Sequence, residues 1–432
     1  MVLCYGNCLV FRCSSFAFLI AFIVSVVENY DYDSDKLAPI ILVNGMGASQ
    51  IEGKWDTDNR PKFCDRKEND WEQMWLDPGV AFWTPLHLKC WAFRFQLLYD
   101  RSARKCKNQV GVKTRVKGRL GSLKASEFLT PGLISHQLPS SRYFHQMIEA
   151  LKKSGYSSSR NLKAHSYDWR YAPPRQDDFN YYKRFTKLVE AVSEQTKRKV
   201  MIVGHSMGGL VTAHFLSNKT QEWKDKHIHA FLTVGTPWLG MVEAVGTYIV
   251  GLNLRIPTID KKVTLSVQRT FQSLAFLLPE EEEFRDAVLV EWVSQNKSYT
   301  AKDYQQFFKD VKFEDGYLMR EDVRPFFPFA LDKLGVRFYC VWTNSSEIKT
   351  PTSFRVTSSD ISDTQEYEMV PGPGDGRIPL NSQRYCEKFR SENVTILNFQ
   401  GYEHVQIIQE TIFHDYVMSV AKGAQPYHLI EV

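Results

Sequence analysis

Short apolar runs rich in β-branched residues recur along this chain, separated by stretches whose apolar positions return at helical spacing. The runs fall at 39–43, 200–203, 230–234, 336–342 and 393–399. Such runs suit strands buried on both faces, and the spacing between them suits amphipathic helices. The alternation predicts an α/β fold with a mostly parallel sheet covered by helices. Two glycine-bearing loops leave the same edge of such a sheet, Asn44-Gly45-Met46-Gly47 and Gly235-Thr236-Pro237.

The most informative junction is Gly204-His205-Ser206-Met207-Gly208. It follows Val200-Met201-Ile202-Val203 directly and precedes a helix-spaced run from Gly209 to Leu216. A serine on so sharp a strand-to-helix bend is pushed outward, and small residues flank it because the backbones approach closely. The helix N-terminus adds free N–H groups and a positive dipole end. Pattern alone is a modest signal, and the strand–turn–helix setting is what raises it.

A serine nucleophile needs a histidine to take its proton and a carboxylate to orient that histidine. In the order Ser…Asp…His, both partners lie downstream on loops after late strands. His404 follows the run 393–399 within five residues and is the expected base; His414 and His428 lie farther from that run. For the acid, Asp360, Asp363 and Asp375 compete. Asp375, within Pro371-Gly372-Pro373-Gly374-Asp375-Gly376, fits an ordinary Asp-Gly turn on local sequence alone. One oxyanion donor is expected from the N–H of Met207 and another from the Asn44–Gly47 loop. No metal or cofactor is called for, because backbone donors supply the electrostatics.

Composition bounds this chemistry. With 432 residues and 43% hydrophobic content, one large α/β domain with insertions fits. A formal charge of +5, dispersed along the chain, offers no nucleic-acid patch. Residues 1–28 read as a signal peptide or anchor: Arg12, an apolar run over 16–27, then an acidic, tyrosine-rich stretch. Residues 29–432 form the catalytic body, with no second long apolar run. Beyond the leader stand Cys64, Cys90, Cys106, Cys340 and Cys386, without a C-x-x-C pair. That spacing argues against zinc, and an oxidising compartment favours two disulfides and one odd thiol. Four glycosylation sequons, at Asn218, Asn296, Asn344 and Asn393, point to the same secretory route.

Two regions fit the core poorly. Five of the ten tryptophans fall within 55–100. This segment is either a small subdomain burying its own aromatics or a patch that settles into a lipid interface through Trp75, Phe82 and Trp83. Residues 240–335 read as a helical cap, with Glu280 to Glu283 as a solvated helix start.

The chain resembles the lecithin:cholesterol acyltransferase family, closest to its lysosomal (group XV) phospholipase A2 branch. The resemblance spans about 38–420 and rests on ILVNGMGASQIEGK, CWAFRFQLLYD, HSYDWRYAP, GHSMGG, WKDKHIHAFLTVGTPWLG, DYQQFFKDVKFEDGYLMRED, PGDGRIPL and GYEHVQII. It implies an α/β-hydrolase fold with Ser206, Asp375 and His404 as the triad and Met46 and Met207 at the oxyanion hole. It implies disulfides Cys64–Cys90 and Cys340–Cys386, with Cys106 unpaired. By the same resemblance 55–100 is a membrane-binding insertion and 240–335 a cap and lid. The implied activity is a calcium-independent phospholipase A and transacylase, monomeric, working at a phospholipid membrane or lipoprotein surface with a lipid acyl acceptor such as ceramide. The lysosomal lumen is the expected site, with secretion as the alternative. A neutral-lipid lipase or carboxylesterase of the same fold and a catalytically silent lipid-binding protein are the rival readings. Asn44 and Met46 depart from the family's usual proline and, in the lysosomal branch, aspartate. Gly204 and Gly209 stand where alanine and asparagine are common.

Overall fold

The computed structural model describes residues 37–423 apart from 56–59, 65–69, 78, 80–82, 133, 252–259, 327–329, 346 and 364–365. Residues 1–28 and His428 lie outside this set. Six strands form the central sheet: Ile40–Val43 (β1), Leu162–Ala164 (β2), Val200–His205 (β3), Ile228–Val234 (β4), Phe338–Asn344 (β5) and Val394–Gln400 (β6). Their spatial order is β6-β5-β4-β3-β1-β2, and every pairing is parallel. This is the sheet of an α/β hydrolase.

The continuous apolar runs are explained by burial on both faces. Ile41, Val43 and Ile202 feed one core with Trp169, Phe215 and Trp238. Ile40, Leu42, Met201 and Val203 feed the opposite core with Phe144, Met147, Phe413 and Val417. Successive side chains of a strand point to opposite faces, so neither face can be polar. The five expected runs are all strands. The sixth strand, Leu162-Lys163-Ala164, is three residues at the sheet edge and carries no apolar run that would announce it.

Residues 240–335 are mixed rather than wholly helical. Helices such as Val242–Ile249 and Glu314–Val323 are joined by strands Val290–Trp292 and Lys297–Tyr299. These strands share a four-stranded sheet with Thr350–Val356 and Tyr367–Gly372. Glu280, expected in solvent, is buried and ion-paired with buried Arg320 at 2.5 Å. Burial raises its carboxyl pKa, and the Arg320 charge opposes that rise.

The tryptophan-rich segment turns much of its aromatic surface inward. Trp75, expected at a lipid interface, is buried against Phe95 and Trp169, with ring centroids 5.8 and 5.1 Å away. Its indole N–H donates to the Gly47 carbonyl at 2.6 Å. Trp83 remains half-buried beside Trp91, with Leu86 44% exposed one helical turn on. Phe82 lies outside the described residues. Disulfide Cys64–Cys90 ties this segment to the helix Pro85–Phe95.

Arg170 fastens the insertion to the sheet. The residue is fully buried, and its guanidinium donates to the Asp168 carboxylate at 2.9 and 2.6 Å, the Phe95 carbonyl at 3.0 Å and Asn108 at 2.9 Å. A buried charge is tolerable only when paired and hydrogen-bonded in this way.

Cys106 is buried with its Sγ 3.4 Å from the Met319 sulfur, and burial pushes its thiol up to about 12. Thiolate, not thiol, is the reactive form. In a chain starting at residue 37 with both disulfides intact, a thiol reagent should therefore label nothing until urea is added, and then one site. Labelling of the native protein would contradict that burial.

His165 is enclosed between Tyr181 and Phe185, and desolvation pushes its imidazole down to about 3. The unfolded chain takes up a proton below about 6.5 and the folded chain does not. The stability this residue contributes is thus complete above pH 6.5 and is lost as pH falls toward 3. Thermal melts should show a lower Tm at pH 4.5 than at 7, with a shallower slope in His165→Gln; an identical slope would count against the assignment.

Candidate active site

The elbow follows from close approach. β3 ends at His205, and the helix Met207–Ser217 begins one residue after Ser206. Ser206 takes φ +57°, ψ −131°, a conformation non-glycine residues rarely adopt and one that costs about 1–3 kcal/mol. Its N–H donates to the Val234 carbonyl at 2.9 Å, which ties the bend to the end of β4. A Cβ on Gly208 would lie 2.3 Å from the Val43 carbonyl oxygen, and one on Gly204 would lie 2.9 Å from Gly209. A Cβ on Gly45 would lie 2.7 Å from that of Ser206. The glycines therefore let β1, β3 and the helix meet at one point.

Met207 and Met46, the expected oxyanion positions, lie on the helix and the loop that meet there. Met207 opens its helix, so its N–H has no carbonyl four residues back within the helix. Met46 sits on the loop after β1, its thioether 3.7 Å from the Ser273 hydroxyl. Asn44 is fully buried and donates to Ser49 Oγ at 2.8 Å, a bond that a proline could not make. Its carbonyl accepts from the Tyr167 hydroxyl at 2.8 Å.

Asp375 and His404 meet in a buried contact, Oδ2 to Nδ1 at 2.7 Å. The other carboxylate oxygen accepts the backbone N–H groups of Arg377 at 3.0 Å and Ile378 at 2.7 Å. The backbone N–H of His404 donates to the Asp375 carbonyl at 2.8 Å. An ionised carboxylate only accepts, so Nδ1 carries the proton and the lone pair is left on Nε2. The pair lies over the end of β4: a Cβ on Gly235, at φ +58°, would stand 3.1 Å from His404 Nδ1 and 3.3 Å from Asp375 Oδ2. β3 and β4 are neighbours in the sheet. Ser206, Asp375 and His404 thus converge on the carboxyl edge of the sheet.

Asp375 is hard to single out from local sequence because the chain makes an excursion. After β5 it runs out through the antiparallel strands Thr350–Val356 and Tyr367–Gly372 before returning. The return is fixed by Ser345 N–H to the Gly374 carbonyl at 2.8 Å and Gly374 N–H to Asn344 Oδ1 at 2.9 Å. Disulfide Cys340–Cys386, spanning 46 residues, closes the same loop and restricts the unfolded chain by roughly 4 kcal/mol. Asp360 stays out on the excursion, where the Lys312 ammonium and Ser362 hold it down to about 2. Asp363 belongs to the same turn, Ile361–Asp363. His414 donates to or accepts from no member of this site; its Nε2 faces the Ile408 carbonyl at 3.0 Å.

Among the sequons, Asn218, Asn296 and Asn393 are exposed, whereas Asn344 is half-buried and engaged with Gly374. Sequence reasoning passed over Tyr143 and His205, both buried beside the site. His205 could have been singled out, because it stands inside the elbow pattern itself.

A sequence profile of the lecithin:cholesterol acyltransferase family matches residues 71–327, more than half of the chain. The human lysosomal phospholipase A and acyltransferase is 31% identical over 390 residues, covering 89% of this chain and 90% of that protein. The mouse protein of that name is 30% identical over 395 residues, covering 90% and 91%. The chicken phosphatidylcholine-sterol acyltransferase is 29% identical over 381 residues, covering 87% and 88%. With a profile match of that extent and a relative 31% identical over about nine-tenths of both chains, this chain belongs to the lecithin:cholesterol acyltransferase family.

Proposed function

We propose that this chain is a serine-dependent, calcium-independent phospholipase A and transacylase. The buried 2.7 Å contact between His404 and Asp375, at the sheet edge that carries the Ser206 elbow, is the observation that supports it most. Ser206 Oγ attacks the ester carbonyl of a glycerophospholipid while His404 Nε2 takes its proton. The oxygen of the tetrahedral intermediate is stabilised by the N–H groups of Met46 and Met207. Collapse expels the lysophospholipid alcohol, which leaves with the proton from His404, and the acyl group stays on Ser206. Water or a lipophilic alcohol such as ceramide then attacks the acyl-enzyme, giving up its proton to His404; collapse breaks the Ser206 ester, releases the fatty acid or acylated alcohol, and returns that proton to Ser206 Oγ. Asp375 holds the imidazole in the required tautomer throughout.

The relatives named above support both phospholipid as acyl donor and transfer as an outcome. The leader-like residues and exposed sequons support a secretory route, with the lysosomal lumen favoured by the names of the more similar relatives. Among the described residues no helix is long and apolar enough to cross a membrane. Membrane contact is assigned to Trp83 with neighbouring Leu86, since Trp75 is enclosed.

The test is product analysis on phosphatidylcholine liposomes with and without ceramide, in EDTA, across pH. Free fatty acid, with lysophosphatidylcholine as its co-product, is expected without ceramide, and an acylceramide in addition with it. Ser206→Ala should lower both by at least ~10³-fold. Preference for a triglyceride emulsion, or full hydrolysis by Ser206→Ala, would refute the reading. For docking, Trp83→Ser combined with Leu86→Ser should reduce co-sedimentation with liposomes severalfold while sparing hydrolysis of a soluble ester. Unchanged sedimentation would remove these residues from the membrane contact.

A further inference from the structure

Two buried polar side chains beside this machinery take no part in the steps above. Tyr143 is 4% exposed and His205 is 1% exposed. Together they complete one directed chain of hydrogen bonds. The Gly45 N–H donates to the Tyr143 hydroxyl oxygen at 2.9 Å, and that hydroxyl faces His205 Nδ1 within hydrogen-bond distance. His205 Nε2 faces the His404 carbonyl oxygen at 2.8 Å.

The direction is fixed from both ends. A carbonyl oxygen only accepts, so Nε2 must carry the imidazole proton. A neutral imidazole then offers its lone pair at Nδ1, and the phenolic proton fills it. An amide N–H only donates, so the phenolic oxygen accepts there. Burial keeps this state: it lowers the imidazole well below its ordinary pKa and raises the phenol. Neither group changes charge near neutrality.

What the chain connects matters more than its polarity. Gly45 precedes Met46 on the loop after β1, His205 precedes Ser206 at the end of β3, and His404 follows β6. β1 and β3 are adjacent, but β4 and β5 separate β3 from β6, so no backbone ladder joins the base loop to the elbow. The imidazole of His205 spans that gap, its ring centroid 4.7 Å from that of His404. We infer that Tyr143 and His205 are positioning residues that lock the oxyanion loop, the nucleophile elbow and the base loop into one register. The inference rests on the Ser206–His404–Asp375 reading above, and neither residue is assigned a contact with substrate.

The test uses the full chain with a soluble ester, measuring kcat and KM separately. Tyr143→Phe and His205→Leu should each lower kcat about 10–100-fold with KM within about twofold, because misplacing an oxyanion donor or base acts on the transition state. The double variant should be no slower than the slower single one, since both break the same chain. His205→Gln, which can donate and accept at similar points, should recover most of the loss. If Tyr143→Phe does not fold, the His205→Leu and His205→Gln pair decides alone. Wild-type kcat in folded Tyr143→Phe or His205→Leu, losses that multiply in the double variant, or no recovery with glutamine would each overturn the inference. An inactive Ser206→Ala beside fully active Tyr143→Phe would sink this inference alone, whereas an active Ser206→Ala would sink the reading beneath it.

Discussion

The structure depends on a clearance of a few ångströms where β1, β3 and the helix after Ser206 meet. A Cβ on Gly208 would stand 2.3 Å from the Val43 carbonyl oxygen, a distance no real contact allows. Backbone has therefore taken the space a side chain would fill. That contact brings the loop after β1 over the end of β3, and the positive φ of Ser206 is the strain that results. Gly235 repeats the device at the end of β4, where its missing side chain leaves room for His404 and Asp375. An alanine at either glycine would push these groups apart.

Around this point the chain uses buried polar groups as fasteners. Arg170 joins the sheet to the aromatic insertion, and Arg320 with Glu280 holds part of the 240–335 segment. Such pairs contribute little net stability once desolvation is counted, and leaving either partner alone would cost several kcal/mol. Their effect is to specify one arrangement of the insertions on the sheet. The aromatic stack of Trp75, Phe95 and Trp169 fills the same junction, so much of the tryptophan-rich segment acts as internal packing. Among the described residues of this segment, half-buried Trp83 and exposed Leu86 lie outside that stack.

The legible parts of the sequence were those with a local cause. Runs such as Ile40-Ile41-Leu42-Val43 announce a doubly covered strand, because both faces need apolar side chains. The elbow is likewise local: a strand, a glycine-flanked serine and a helix follow one another directly within residues 200–217. His404 could be found by its distance from the last strand. Glu280 was misread because a run of four glutamates looks solvated, while its partner Arg320 is forty residues away. Trp75 was misread for a similar reason, since aromatic clustering in sequence does not say which face meets Phe95 and Trp169. Nothing near Leu162–Ala164 marks it as a strand; its ladder with β1, with a bridge from Ala164 to Gly121, makes it one.

By itself, then, the sequence determined the strands, the sharp turn that exposes Ser206 and the histidine expected to serve it, because each depends on residues within one or two turns of chain. Local sequence left three aspartates open and only the family resemblance named Asp375; the tertiary structure brings it to that histidine, since it returns to β5 only after a two-stranded excursion closed by Asn344 and a disulfide. It also decided that His205 reaches across two strands to the His404 carbonyl. Both are contacts between segments far apart in sequence, and their partners are chosen by the order of strands in the sheet, which no local pattern encodes.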